Sequence, residues 1–257
     1  MKIILSIAGS DSSSGAGIQA DLKTAQSMGV YCMTVLTAVT SQNSHGVDSV
    51  FSLPAEWVKN QLEVVLNDIT PHAVKIGMAS NSKLLNVILE IIKNYKLSNI
   101  VFDPVLYSKN NVSLLDKAGM SFLLSDFLPS VYLLMPNLDE ACMLAGTGEK
   151  VYDKESVKKI CRVLFDKGVQ NVLVKGGHFK EEALDILYTG MDFYEFRSDK
   201  IPGTPVHGTG CIFSTAVAAG LALDKDLITS ISSAKDYINK GIVRSLRLGK
   251  GYRFFNH

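Results

Sequence analysis

Short apolar runs alternate with amphipathic stretches along almost the whole chain, and this alternation constrains the fold more than any other feature. Runs at 3–8, 33–39, 73–76, 100–102, 131–135 and 172–174 read as strands. Several are apolar on consecutive positions, as strands covered on both faces require. Between them Val58, Leu62, Val65 and Ile69 recur at helical spacing, as do Leu84, Ile88, Ile91 and Tyr95. Segments 113–124, 153–167, 210–223 and 226–246 also read as helices. The pattern predicts an α/β sandwich of three layers, with helices on both faces of a mainly parallel sheet. Residues 184–188 and 192–196 flank Thr189-Gly190-Met191, which predicts a hairpin and an antiparallel edge. No repeat, low-complexity segment or linker interrupts the chain, so one domain over 1–257 is expected.

Composition narrows the partners. At 47% hydrophobic and 20% charged, the 257 residues can fill such a core. A formal net charge of +1, with no basic run, argues against nucleic-acid binding. No apolar stretch approaches a membrane span, and the run at 3–8 is too short for a signal peptide. The four cysteines show no CxxC or Cys/His spacing, against structural zinc. A soluble, reducing, cytoplasmic setting is expected.

In open α/β sheets ligands bind beyond the carboxyl ends of the strands, so the loops there carry the chemistry. The most informative is Val206-His207-Gly208-Thr209-Gly210-Cys211, followed directly by a small-residue apolar helix. Glycines let backbone N–H groups converge, and a helix N-terminus adds unpaired donors, which together make an anion site. The same field is expected to favour the Cys211 thiolate, a potential base. The segment also reads as a glycine-rich turn with a buried cysteine.

Other strand ends supply complementary groups. Gly15, Gly17 and Ala20 match a dinucleotide fingerprint formally, but they follow a long polar loop and no acid ends the second strand. They leave a loop that a ligand can approach closely. Gln42, placed just after the second strand, has an amide able to read a heteroaromatic edge. Met78 lines either an apolar pocket or the core. Asp103 ends the fourth strand, where an acid holds Mg²⁺ or caps a turn. Asn137 and Glu140 have capping-box spacing and also suit metal or phosphate. Lys175, beside Gly176 and Gly177, suits phosphate. An acid pair, a lysine and an anion hole with a base are the parts of phosphoryl transfer.

Taken in order, Ala8-Gly9-Ser10-Asp11, residues 15–24, Gln42-Asn43, Lys75-Ile76-Gly77-Met78, Asp103-Pro104-Val105, residues 136–141, residues 174–178 and residues 207–211 resemble the hydroxymethylpyrimidine/phosphomethylpyrimidine kinases of thiamin synthesis, in the ribokinase superfamily. The resemblance is collinear, stronger to about Ala222 and weaker beyond. It implies a ribokinase-like fold, a homodimer, and ATP-dependent phosphorylation of 4-amino-5-hydroxymethyl-2-methylpyrimidine and then of its monophosphate. By the resemblance Cys211 stands where most of the superfamily has a basic Asp, and Gly208, Thr209 and Gly210 form the anion hole. Asn137 and Glu140 fall near Mg²⁺ and the nucleotide phosphates, Asp103 and Lys175 on the ATP side. Gly9, Ala16, Gln42, Met78, Val105 and Cys211 fall in the pyrimidine pocket. Three places depart from the family pattern: Ser14 where a glycine is usual, the loop around Lys109, and the tail 249–257. A β-carbon at Ser14 is expected to tighten the pocket. Alternative readings are a pyridoxal kinase of the same family, a non-catalytic binding protein on this fold, and a nicotinamide-dependent oxidoreductase.

Overall fold

Strands β1 (Ile3–Asp11), β2 (Tyr31–Asn43), β4 (Ala73–Ile76), β5 (Ile100–Phe102), β6 (Leu133–Leu134) and β7 (Val172–Val174) pair in parallel at the centre of one nine-stranded sheet. The computed structural model describes residues 1–107, 114–148, 153–176, 183–203 and 205–257. Lys109, Gly177 and His178 lie outside the described residues.

Alternation along each strand sorts the core into two layers. Leu5, Ile7, Val74, Ile76, Phe102 and Leu134 face one side. There they meet α2 (Ala55–Leu66), α3 (Ser82–Asn94), α5 (Leu138–Ala145) and α6 (Lys154–Phe165). Ile4, Ala73, Val101, Leu133 and Leu173 face the other side, against α1 (Gly17–Ser27), α7 (Thr209–Ala222) and α8 (Leu227–Val243). A strand buried on both faces has no polar side to show, which explains the unbroken apolar runs.

With β3 (Gly46–Ser52), β8 (Ala183–Tyr188) and β9 (Phe193–Ser198) the sheet order is β3-β2-β1-β4-β5-β6-β7-β8-β9, so both edges are antiparallel. The predicted hairpin is β8 (Ala183–Tyr188) with β9 (Phe193–Ser198). The other, β2 with β3 (Gly46–Ser52), was not expected from the sequence. Strand β3 is mostly exposed and is held by its ladder with β2 rather than by apolar burial. Its presence corrects the placement of Gln42, which lies inside the extended β2, two residues before the turn. The helix expected over 113–124 is shorter. It begins at Lys117, where Asp116 caps it, and α4 (Lys117–Phe122) runs into a wider turn, Leu123–Phe127, and a tight one, Leu128–Ser130.

The tail also has a role in the fold. Its strand β11 (Arg253–Phe254) pairs in parallel with β10 (Val206–His207), immediately before the glycine turn. Among the described residues no helix is long and apolar enough to cross a membrane.

Candidate active site

Parallel strands end on a common edge, and the chain order reverses between β1 and β4, where such sheets open a crevice. A cavity of about 260 Å³ lies there. Gly9, Ala16, Gln42, Met78, Asp103, Val105, Asn137, Glu140, Lys175, Gly208, Thr209, Gly210 and Cys211 all line it. Ser14 does not, so its β-carbon does not tighten the pocket. Instead Ser14 sits at φ +61°, a left-handed conformation that suits glycine better.

Two helix N-termini open on the cavity, and neither is capped by a side chain: α1 behind Ala16 and α7 behind Gly208. Their positive dipole ends face the cavity, although at α1 the Ala16 N–H already donates to Asp11. By contrast α3, α4, α5, α6 and α8 are capped by Asn81, Asp116, Asn137, Asp153 and Asp226. Gly208 has φ +77°, and a β-carbon there would stand 1.9 Å from the carbonyl oxygen of Gly15. Only glycine lets the turn into α7 pack against the first loop.

The opposite wall carries charge. Lys175 pairs with Asp103, and Gly210 packs over that pair. Asn137 and Glu140 make the predicted capping box: Glu140 N–H donates to Asn137 Oδ1 at 2.9 Å, and Asn137 N–H to Glu140 Oε2 at 2.8 Å. Burial pushes the Glu140 carboxyl up to about 7, against the pull of Lys175 and with the repulsion of Asp103 added. Two carboxylates, one just after β5 and one in the first turn of α5, thus share the charge of Lys175.

Cys211 corrects an expectation. Burial pushes its thiol up; Lys75 opposes this, while Asp21 and Asp103 reinforce it. The helix N-terminus alone does not make a resting thiolate, because desolvation of the sulfur outweighs it.

Lys75 is the functional neighbour that motif reading missed. It is fully buried in β4, lines the cavity floor, and its ammonium donates to Asp21 Oδ2 at 2.7 Å. Ser6 and Thr215 hydroxyls donate to the same carboxylate at 2.6 and 2.7 Å. Burial lowers the Lys75 pKa, but Asp21, Cys211 and Asp103 together raise it, so it stays charged. The signal was present in the sequence: a lysine inside the apolar strand Ala73–Ile76 requires a buried partner.

His207 and Asp11 were missed as well. His207 is 4% exposed, and its Nε2 lies 2.9 Å from Asp11 Oδ2 and 2.7 Å from Gln42 Nε2. Asp11 also accepts from the N–H groups of Ser13, Gly15 and Ala16, which shapes the first loop. Met78 closes over a bulge in β1 at Gly9, where a β-carbon would meet its methyl at 2.6 Å.

Residues 11–256 match the family model described as phosphomethylpyrimidine kinase. The chain is 43% identical to a hydroxymethylpyrimidine/phosphomethylpyrimidine kinase of Aquifex aeolicus, over 99% of each chain. It superimposes on the phosphomethylpyrimidine kinase of Clostridium difficile with a TM-score of 0.83 and 38% identity, covering 94% of this chain and 100% of that one. A pyridoxal kinase of Staphylococcus aureus, in complex with AMP-PCP and pyridoxal, gives a TM-score of 0.91 at 33% identity, over 100% of this chain and 93% of that one.

Proposed function

The chain belongs to the phosphomethylpyrimidine kinase family, and from that premise we propose that it transfers a phosphoryl group from ATP to the hydroxymethyl group of an aminopyrimidine, and then to the resulting monophosphate. It is a kinase of the ribokinase-like fold, acting in thiamin biosynthesis. One observation carries the reading: two uncapped helix N-termini, a lysine and a thiol converge on a single cavity. That arrangement supplies fixed donors where charge develops on the transferring phosphoryl oxygens.

In this reading the N–H groups of the Gly208–Cys211 turn hold the phosphoryl oxygens. Lys175 meets the nucleotide phosphates beside Asp103 and Asn137. Gln42, Met78, Val105, Gly9 and Ala16 hold the ring, and Cys211 receives the proton of the attacking hydroxyl. A raised thiol pKa makes the thiolate scarcer but a stronger base, and the Lys75 ammonium favours its formation.

Asp103 and Glu140 suit Mg²⁺. They are hard oxygen donors, one just after β5 and one in the first turn of α5, and the raised Glu140 carboxyl marks a place short of positive charge. Bound there, the ion would neutralise phosphate charge. A homodimer and a single kinase domain over 1–257 complete the proposal.

The test is ATP consumption measured side by side with the pyrimidine alcohol, its monophosphate and pyridoxal, with and without excess EDTA. Turnover of both pyrimidines that EDTA abolishes supports the reading. Turnover of pyridoxal alone would replace the substrate assignment, and undiminished turnover in EDTA would remove the metal.

A further inference from the structure

Asp11, His207, Gln42 and Thr40 form one continuous chain of side-chain contacts along the cavity wall. His207 Nε2 faces both Asp11 Oδ2, at 2.9 Å, and Gln42 Nε2, at 2.7 Å. Thr40 Oγ1 lies 3.2 Å from Gln42 Oε1 and 2.9 Å from the carbonyl oxygen of Ser10. Hydrogens limit what these contacts can be. A ring nitrogen presents either one proton or one lone pair. Asp11 already accepts from the N–H groups of Ser13, Gly15 and Ala16, which favour its carboxylate, so at neutral pH it is an acceptor only. Nε2 must then carry the proton and donate to Asp11, which leaves it no lone pair for an amide N–H. At the far end, two acceptors claim the single hydroxyl hydrogen of Thr40.

One half-turn of the Gln42 amide removes the clash of two donors at Nε2 and frees the Thr40 hydrogen. The Gln42 carbonyl oxygen then shares the single Nε2 proton with Asp11 in a three-centre bond, and the Gln42 nitrogen donates to Thr40, whose own hydrogen stays on Ser10. The other ring nitrogen agrees. Nδ1 of His207 is buried without a hydrogen-bond partner, and an orphaned lone pair is more readily tolerated than an orphaned N–H.

We infer that the Asp11–His207 pair sets the orientation of the Gln42 amide and thereby determines ring specificity. The oriented amide keeps one lone pair on its oxygen, toward His207, and one N–H on its nitrogen, toward Thr40. A ring matches when it offers a donor on the His207 side and an acceptor on the Thr40 side; an amine next to a ring nitrogen is such an edge. The reverse order is rejected, because it would leave groups unpaired on both partners. His207 is thus a positioning residue that acts through Gln42. The inference rests on the reading that Gln42 faces the substrate ring.

Three variants and one spectrum test it. Gln42→Ala raises the KM of the ring substrate about tenfold or more, the usual scale for a lost buried hydrogen-bond pair. His207→Phe keeps the ring shape but removes the donor, so it raises the same KM about tenfold while the ATP KM stays within about twofold. His207→Gln returns an N–H near the Nε2 position and recovers most of the loss. The ¹⁵N spectrum of His207 in the unmodified protein shows Nε2 protonated and Nδ1 bare. If Gln42→Ala raises the KM and His207→Phe does not, the inference falls and the site reading stands. If Gln42→Ala changes nothing, the site reading falls and takes the inference with it. A His207 protonated on Nδ1 alone overturns the inference even if His207→Phe fails to fold.

Discussion

Asp21–Lys75 and Asp103–Lys175 are the same chemical pair in two settings. Lys75 and Asp21 are both sealed from solvent, and hydroxyls of Ser6 and Thr215 also donate to Asp21. Asp103 and Lys175 lie at the cavity wall, where Lys175 also compensates Glu140, and Glu140 remains short of positive charge. A closed pair with its charges balanced holds its place. An open pair with charge left over can take up a ligand. The difference lies in burial and charge balance rather than residue type, and it separates a lysine in the floor beneath Cys211 from one that we propose meets phosphate.

The sharpest way to break this comparison is Lys75→Ala. It strands a buried carboxylate and should cost about 3–5 kcal/mol in urea unfolding. Replacing both partners together, Lys75→Met with Asp21→Leu, should recover much of that loss. A single variant as stable as the original protein would show that the network is not closed.

Lys175→Ala should do the converse. Its kcat/KM for ATP-dependent turnover should fall ~10²–10³-fold, as when a preorganised transition-state donor is removed. Its loss of unfolding free energy should stay below that of Lys75→Ala. Full activity with a large stability loss would make the two pairs equivalent.

Asp11 sharpens the contrast, being buried with a histidine and N–H donors instead of a lysine. Its folded carboxyl, at about 2, lies below the ordinary 3.8. The stability it contributes is therefore complete above about pH 4 and is lost as pH falls toward 2. That amounts to about 2 kcal/mol. Unfolding measured from pH 5 to pH 2 should show a shallower acid limb for Asp11→Asn than for the unmodified protein.

The smallest effect belongs to Lys2–Asp224. At 2.6 Å it is as short as the buried pair, but its side chains are 32% and 77% exposed. Lys2→Ala should cost only a few tenths of a kcal/mol, less still in high salt. A loss comparable to that of Lys75→Ala would mean that distance, not burial, governs these pairs.

Much of the architecture was legible in the chain. Consecutive apolar positions in Ala73–Ile76 and Val172–Val174 announced doubly covered strands, and Asn137 with Glu140 announced a capping box that formed. The motif residues from Gly9 to Cys211 do meet in one cavity. Strand β3 was not legible, because its polar residues are held by pairing with β2 and leave no periodic signal. Lys75 was legible as an anomaly but not as a partner of Asp21, 54 positions away.

By itself, then, the sequence determined the layers, the parallel core and the set of loops that supply chemistry. These follow from side-chain alternation and helix periodicity, which are properties of neighbouring residues. Only the tertiary structure decided that the Cys211 thiol is raised by burial, that Ser14 stays clear of the cavity, and that Gln42 is held by His207. Desolvation and hydrogen-bond counts depend on what surrounds a group in space. For His207 those surroundings come from residues 165 and 196 positions away, a separation no local pattern can encode.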